Sequence, residues 1–337
     1  GVVPGKPLFY ATAMPRDGYA LGVLAENNMG RPTKIEGNPS HPANLGGTDA
    51  YMQASVLQLW DPDRSQTVMH NGVLSTWARF AADLGARRGA LEARRGEGLR
   101  VLTGTVTSPT FTRQMQILRR RYPRALWHAY QPVNHDNVHE GSRFAFGRSL
   151  MPRYDLSKAR VVVSLDADLL GTHPAHVRYA ADWSEKRRGG DKGEMNRVYM
   201  AESGFTITGS VADERIAVDP TRVAAIARAI ALNLGLEGVG KYAILTEEER
   251  KFADRASADL KAAGNNGLVA AGLSASPAIH AVAHAINQQL GAFGKTVTLI
   301  EDPAGDRPTH FAAITQLTKE MAADKVKALL IIGGNPA

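Results

Sequence analysis

The sequence contains no cysteine. That absence removes disulfides, thiolate nucleophiles, Cys-ligated zinc and ordinary iron–sulfur clusters from the chemistry these residues can perform. Aromatic residues are sparse at 7%, and Trp60, Trp77, Trp127 and Trp183 are scattered, so a stacking platform for nucleic-acid bases is not supported. No run of about 18 apolar residues occurs, and no charged segment leads into an apolar one at the start, so neither a spanning helix nor a signal segment is expected within the sequence. What remains is an ordinary globular composition, 44% hydrophobic and 22% charged over 337 residues, enough for two or three domains. The formal charge of +7 first suggests an anionic partner. It belongs to one segment, however: Leu84 to Arg124 carries ten arginines against Glu92 and Glu97, an excess larger than that of the whole chain. No nucleic-acid motif accompanies them, so a solvated face or a docking patch for an acidic protein at Arg87–Arg124 is the better reading.

Residues 1–72 are rich in Gly, Pro and Asn. Strand-like runs Tyr19–Leu24 and Arg31–Glu36 alternate there with turn signals at Pro15–Gly18, Asn27-Asn28, Gly37–Pro39 and Gly46-Gly47, which predicts a small irregular β-rich module. From Val73 the pattern becomes helical, with Gly85 as an expected stop. Later apolar strands, Val101-Leu102 and Val161–Leu165 among them, lead into loops and then into helices opened by a polar residue and proline: Ser108-Pro109, Thr172-His173-Pro174, Asp219-Pro220 and Ser276-Pro277. Proline at the first helical position gives up only an N–H that the helix cannot pair, and the preceding Ser or Asp can accept from the next ones. Apolar strands alternating with helices imply an α/β fold with doubly wound parallel sheets, whose ligands sit beyond the carboxyl ends of the strands. The chain stops at Gly333–Ala337, just after the apolar run Ala328–Ile332, which reads as an unfinished unit of a longer polypeptide.

Several side-chain groups invite a chemical reading. His280 and His284 share a helix face but lack the Glu of a zinc-protease helix and any third ligand. His135 with His139, and His173 with His176, are close in sequence without further support. His173 stands out because it opens a helix in a loop expected to face the cleft, where it suits an anion. Asp166 and Asp168 follow a buried strand; they suit Mg²⁺, general-base work or, more commonly, capping and ligand hydrogen bonds. Gly235–Lys241 is glycine-rich but lacks the preceding strand and following Ser or Thr of a phosphate loop. On the residues alone, the chain is a multi-domain α/β protein with a crevice suited to a large anion and no identifiable catalytic group.

Longer motifs resemble a known family. Gly30-Arg-Pro-Thr-Lys-Ile-Glu-Gly-Asn-Pro-Ser-His-Pro42, then Leu57-Gln-Leu-Trp-Asp-Pro-Asp-Arg64, is similar to the opening of the molybdopterin oxidoreductases. Val161–Pro174, Thr206–Asp213 and Ala328–Ala337 resemble that family's later segments in the same order. The resemblance implies a cleft formed by Ser108, Asp166, Asp168, Gly171, His173, Gly333, Gly334 and Asn335, which in a pterin-binding member would grip the dinucleotide phosphates. It also implies three units: residues 1–72; an α/β domain of 73–133 with 251–337, incomplete at its C-terminus; and a Rossmann-like domain of 134–250. The four cluster-binding cysteines of the family are missing around Ala11–Ala20 and Asp49, and at Val133–Ser142, where the metal ligand is expected, only Ser142 is chemically possible.

That pattern, together with Val2–Tyr10, Gly37–Pro42, Ser164–Asp168, Met195-Asn196 and Glu202-Ser203, is similar to the iron–sulfur subunit of bacterial alternative complex III, a quinol:electron-acceptor oxidoreductase. The resemblance implies a structural and docking domain without a cofactor, with iron–sulfur clusters in a ferredoxin-like domain downstream. It further implies sister subunits of a membrane-bound respiratory complex as partners, at the periplasmic face of the inner membrane, with no nucleic acid and no catalytic residue in this part. The alternative is a domain that retains molybdopterin guanine dinucleotide.

Overall fold

The computed structural model describes residues 3–188, 195–240, 243–302 and 307–334. The first strands, β1 (Leu8–Arg16), β2 (Tyr19–Asn28) and β3 (Arg31–Gly37), make an antiparallel sheet. Both hairpins turn on two residues with positive φ, Asp17-Gly18 at +46° and +82° and Met29-Gly30 at +56° and +86°. Such turns match the twist of the flanking strands. The second turn thus lies just after Asn27-Asn28, and Asn27 supports it by accepting from Gly30 N at 2.8 Å. Leu21, Val23 and Ile35 bury one face of this sheet against Met52 of helix α1 (Ala50–Ala54) and against Val177 further along the chain.

A short hairpin, β4 (Met69–His70) and β5 (Val73–Leu74), leads into helix α2 (Trp77–Ala93). Thr76 caps it by accepting from Arg79 N at 3.2 Å. The helix runs through Gly85 and Gly89 rather than stopping at Gly85, because alanines on either side favour helix and one glycine costs only about 1 kcal/mol. The stop comes at Arg95-Gly96, both at positive φ. No residue of α2 is buried.

The rest alternates: β6 (Leu99–Thr103), α3 (Pro109–Arg121), β7 (Leu126–Ala129), α4 (Asp136–Phe146), β8 (Leu150–Tyr154), β9 (Val161–Leu165), α5 (His176–Arg188), β10 (Arg197–Glu202), α6 (Ile207–Ser210) and β11 (Glu214–Ala217). Then follow α7 (Pro220–Asn233), α8 (Glu247–Ala263), β12 (Gly267–Ala271), α9 (Pro277–Gln289), β13 (Val297–Glu301), α10 (His310–Ala322) and β14 (Ala328–Ile332). The helix starts expected at Ser108-Pro109, Asp219-Pro220 and Ser276-Pro277 are present, although Ser276 makes no side-chain cap bond. After Thr172-His173-Pro174 the chain first makes a turn, and α5 begins at His176.

Strands β11-β10-β9-β12 form a parallel sheet. Val161, Val163 and Leu165 point to the side covered by α7, α8 and α9, while Val162 points to the side where Tyr179 of α5 packs. Helices on both faces make the sheet doubly wound, and its strands are accordingly apolar throughout. Asn287 of α9 closes the free edge of β12, donating to Val269 O and accepting from Val269 N at 2.8 Å each. A second parallel sheet has the order β14-β6-β7, and β13 pairs antiparallel with β8.

This pairing moves an expected boundary. The segment from 251 is expected to join 73–133, yet β12 hydrogen-bonds to β9, and α8 and α9 bury their apolar faces in the β9 core. Only α10 and β14 return to β6 and β7. The return is fixed by a buried ion pair, Arg100 Nε to Glu320 Oε2 at 2.6 Å, joining β6 to α10. Removing one member strands the other charge, so Glu320→Ala is expected to lower stability by about 3 kcal/mol in urea unfolding. The double substitution Arg100→Met with Glu320→Leu is expected to recover most of that loss.

Candidate functional site

In both parallel sheets the chain reverses its winding direction at one place, between β9 and β12 and between β6 and β14. Crevices for ligands form at such points. Asp166 sits at the first of them, at φ +57°, an uncommon conformation for a residue with a Cβ. Its carboxylate accepts from Ser203 N at 3.0 Å and Ser203 Oγ at 3.2 Å, and from Ser274 Oγ at 3.4 Å. Asp168 accepts from Thr208 Oγ1 at 2.8 Å, Thr208 N at 3.0 Å and Thr172 N at 2.9 Å. Gly171 lies so close to Asp168 that a Cβ would collide with its carboxylate. Glu202, fully buried, accepts from Thr206 Oγ1 at 2.7 Å and pairs with Arg215. Here the strand ends are closed by the chain's own polar side chains.

The other expected cleft residues are dispersed. Ser108 is an exposed N-cap of α3, accepting from Phe111 N at 3.3 Å. Gly333 and Gly334 follow β14, and Asn335 lies outside the described residues. His173 does not face an anion. It is half-buried among Tyr19, Tyr154 and Tyr179, with ring centroids 6.3, 6.4 and 4.9 Å away, and its Nδ1 accepts from Ala175 N at 3.0 Å. Burial pushes its pKa down to about 3, so the ring is neutral. Ser142, the one candidate metal-ligand oxygen, is also fully buried. Its Oγ donates to Arg148 O at 2.9 Å and accepts from Leu150 N at 2.8 Å.

The open space lies elsewhere, in a cavity of about 540 Å³ between the N-terminal sheet and the two parallel sheets. None of the seven described cleft residues lines it. Its walls include Gly18 and Tyr19 of the first hairpin, Thr105 and Thr107 beyond β6, His135 and His139 around α4, Met151 and Arg153 of β8, and Arg307 and His310 before and in α10. Thr107 ties the β6 loop to the N-terminal module by donating to Gly18 O at 2.6 Å. His176 Nε2 and Arg16 meet Asp49 on the module, and Arg178 donates to Pro42 O at 2.9 Å. No single signal in the sequence marks this cavity, because its residues come from segments far apart in the chain.

Three histidines, His135, His139 and His310, stand in its polar wall among five aspartates and four arginines. His139 lies 2.8 Å from Ser149 Oγ through Nδ1 and 3.4 Å from Asp302 through Nε2. His310 Nδ1 accepts from Gln131 N at 3.0 Å, which leaves its proton on Nε2, 3.4 Å from Thr105 Oγ1. Burial lowers the pKa of His135, His139 and His310. No group of three or more His, Asp or Glu among the described residues is arranged to hold a metal ion. His280 and His284 are buried in α9 without such an arrangement, and burial pushes both down to about 4.

Parallel sheets covered on both faces, with a β-rich module across the space between them, define an α/β protein of molybdopterin-oxidoreductase-like fold. Among solved structures the chain is similar to acetylene hydratase from Pelobacter acetylenicus, with a TM-score of 0.58 over 83% of this chain at 13% sequence identity. It spans 43% of that protein's length, and at this identity the likeness concerns the fold alone. No protein-family model and no curated protein sequence matches the chain.

The neutral histidines fix a pH dependence. His173, His280 and His284 bind protons less readily folded than unfolded, so below about pH 6.5 the unfolded chain takes up protons that the folded one refuses. Their contribution is whole above pH 6.5 and is lost as pH falls toward 4, by about 1.4 kcal/mol per pH unit for each histidine. His284 has no hydrogen-bond partner among the described residues and packs edge-on to Phe146 at 5.1 Å. His284→Leu is therefore expected to reduce the slope of stability against pH by one proton, read from urea midpoints between pH 7 and 4.5. An unchanged slope contradicts the assignment.

Proposed function

We propose that this chain is a structural and docking domain of a quinol-oxidising respiratory complex, like the molybdopterin-oxidoreductase-like part of the iron–sulfur subunit of alternative complex III. On this reading it carries no cofactor of its own, electrons pass through iron–sulfur clusters elsewhere in the polypeptide, and it works at the periplasmic face of the inner membrane among sister subunits. The observation that carries the docking role is an uncovered apolar face. Leu57, Trp60, Met69, Val73, Leu74, Trp77, Phe80 and Leu84 are all exposed, Leu74 and Trp77 at 72% and 74%. A cluster of large exposed apolar side chains marks a surface that a partner covers. No helix among the described residues is long and apolar enough to cross a membrane.

The residues present do not suit a pterin dinucleotide, which supports the cofactor-free reading. The carboxylates at the strand ends face the chain's own donors, His173 is half-buried and neutral, and Ser142 Oγ already donates and accepts within the fold. Protein purified from its native membrane is expected to yield no stoichiometric molybdenum or tungsten and no extractable pterin; finding both overturns this part.

For docking, Leu74→Ser with Trp77→Ser is expected to leave the thermal midpoint nearly unchanged and to abolish co-purification with the membrane subunits. The basic segment contributes less than its charge suggests. Arg100 is internal, Arg88 and Arg121 share Glu92, and Arg124 pairs with Glu97. Arg87, Arg94, Arg95, Arg113, Arg119 and Arg120 remain exposed without an ion pair among the described residues, and the adjacent Arg119 and Arg120 on α3 are the positions chosen to test contact with an acidic surface. Arg119→Glu with Arg120→Glu is expected to weaken assembly at low salt and to have little effect at high salt.

A further inference from the structure

The cavity between the three sheets contains a cation that the described residues leave without an anion in hydrogen-bond reach. The Arg307 guanidinium lies 3.8 Å from the centre of the Trp127 ring, and its Nη1 is buried with no hydrogen-bond partner among them. A guanidinium that borders the cavity and has no ion pair among the described residues offers its charge and remaining donors to an anion. Of the five acids that line the same cavity, Asp17 lies exposed in the turn of the first hairpin, where its charge favours the protonated form of His135, and the other four are engaged elsewhere. Asp136 caps α10 by accepting from His310 N at 2.9 Å and Phe311 N at 3.4 Å. Asp302 faces His139, Asp182 takes Arg178 at 2.8 Å, and Asp155 takes Lys158 at 2.9 Å. Burial lowers the proton affinity of Arg307, against a smaller opposing attraction to Asp302.

Two further donors accompany it. His310 is close enough to Arg307 for the cation to depress its pKa, and its Nε2–H and the Thr105 hydroxyl both border the cavity. Apolar and aromatic surface is supplied by Tyr19, Met151, Tyr154, Tyr179 and Ile300. Space on this scale takes a small molecule.

We propose that the cavity binds a small organic anion, a carboxylate or phosphate group on an apolar body, with the anionic head on Arg307, His310 and Thr105 and the body against the tyrosines. A guanidinium matches the planar fork of a carboxylate or the edge of a phosphate, and stacking on Trp127 holds its plane. The site goes beyond the docking role and is judged separately: metal and pterin analysis tests the cofactor-free reading, and anion titration tests this one.

Benzoate, phenyl phosphate, acetate and inorganic phosphate serve as probes, titrated into the whole protein and read by calorimetry and tryptophan emission. Benzoate or phenyl phosphate is expected to bind with a change in emission, and more tightly than acetate or inorganic phosphate; whichever of the two binds identifies the head group. Arg307→Gln is expected to weaken binding about tenfold or more while its thermal midpoint stays at or above that of the parent protein. Trp127→Phe is expected to keep binding and to lose the emission change, which ties that change to the ring on which Arg307 stacks. No binding by any probe, or equal binding to Arg307→Gln, overturns the proposal.

Discussion

The strand ends of the four-stranded sheet are held by carboxylates and hydroxyls of the chain itself, and the rest of the architecture follows from that closure. In a doubly wound sheet the loops beyond the strands carry backbone N–H groups without partners, and those groups normally await a ligand. Here Asp168 takes the N–H groups of Thr172 and Thr208, Asp166 takes that of Ser203, and Glu202 lies in the small space that Gly209 leaves. A ligand entering at these points would have to displace bonds of the same kind, made to charged acceptors. The strand ends therefore act as rigid joints, and the cavity described above opens between the N-terminal sheet and the two parallel sheets instead.

At that meeting point desolvation governs the electrostatics. Histidines that would be half charged in water near pH 6.5 are neutral here, and a neutral imidazole can accept a backbone N–H, as His173 does from Ala175 and His310 does from Gln131. The same burial leaves Arg307 charged without an ion pair among the described residues. Neutral imidazoles and a lone guanidinium are two results of one environment, since a guanidinium does not give up its proton at any pH the protein meets. On the His310 side of the cavity the polar wall therefore presents donors, the His310 Nε2–H and the Arg307 guanidinium.

How much of this was legible in the sequence depends on how local the cause is. Ser108-Pro109, Asp219-Pro220 and Ser276-Pro277 mark helix starts because capping is decided within four residues, and Val161–Leu165 reads as a buried strand because its side chains alone set its apolar character. Gly85 misleads as a stop, since a helix tolerates one glycine when its neighbours favour it. The allocation of β12 was not legible, because strand pairing across more than a hundred residues leaves no trace in local pattern. Asp166, Asp168 and His173 lie at the expected place in the fold but without the expected availability. Spacing locates a side chain, whereas its hydrogen-bond partners Ser203, Thr208 and Ala175 come from the tertiary structure or the turn that follows. Arg307 and Trp127 are separated by 180 residues and carry no shared motif.

The helix α2 shows the same dependence at the surface. A 17-residue helix with no buried side chain gains little from tertiary packing beyond the Arg121–Glu92 pair, and isolated helices of this length are marginal in water. Its persistence rests on the Thr76 cap, the Arg88–Glu92 pair and whatever covers Trp77, Phe80 and Leu84. The first two contribute about 1 kcal/mol and a few tenths. A cover over the aromatic face would supply several times as much. On the proposed docking role the stability of this helix is tied to assembly, and the apolar contact contributes more to docking than the arginines that flank it.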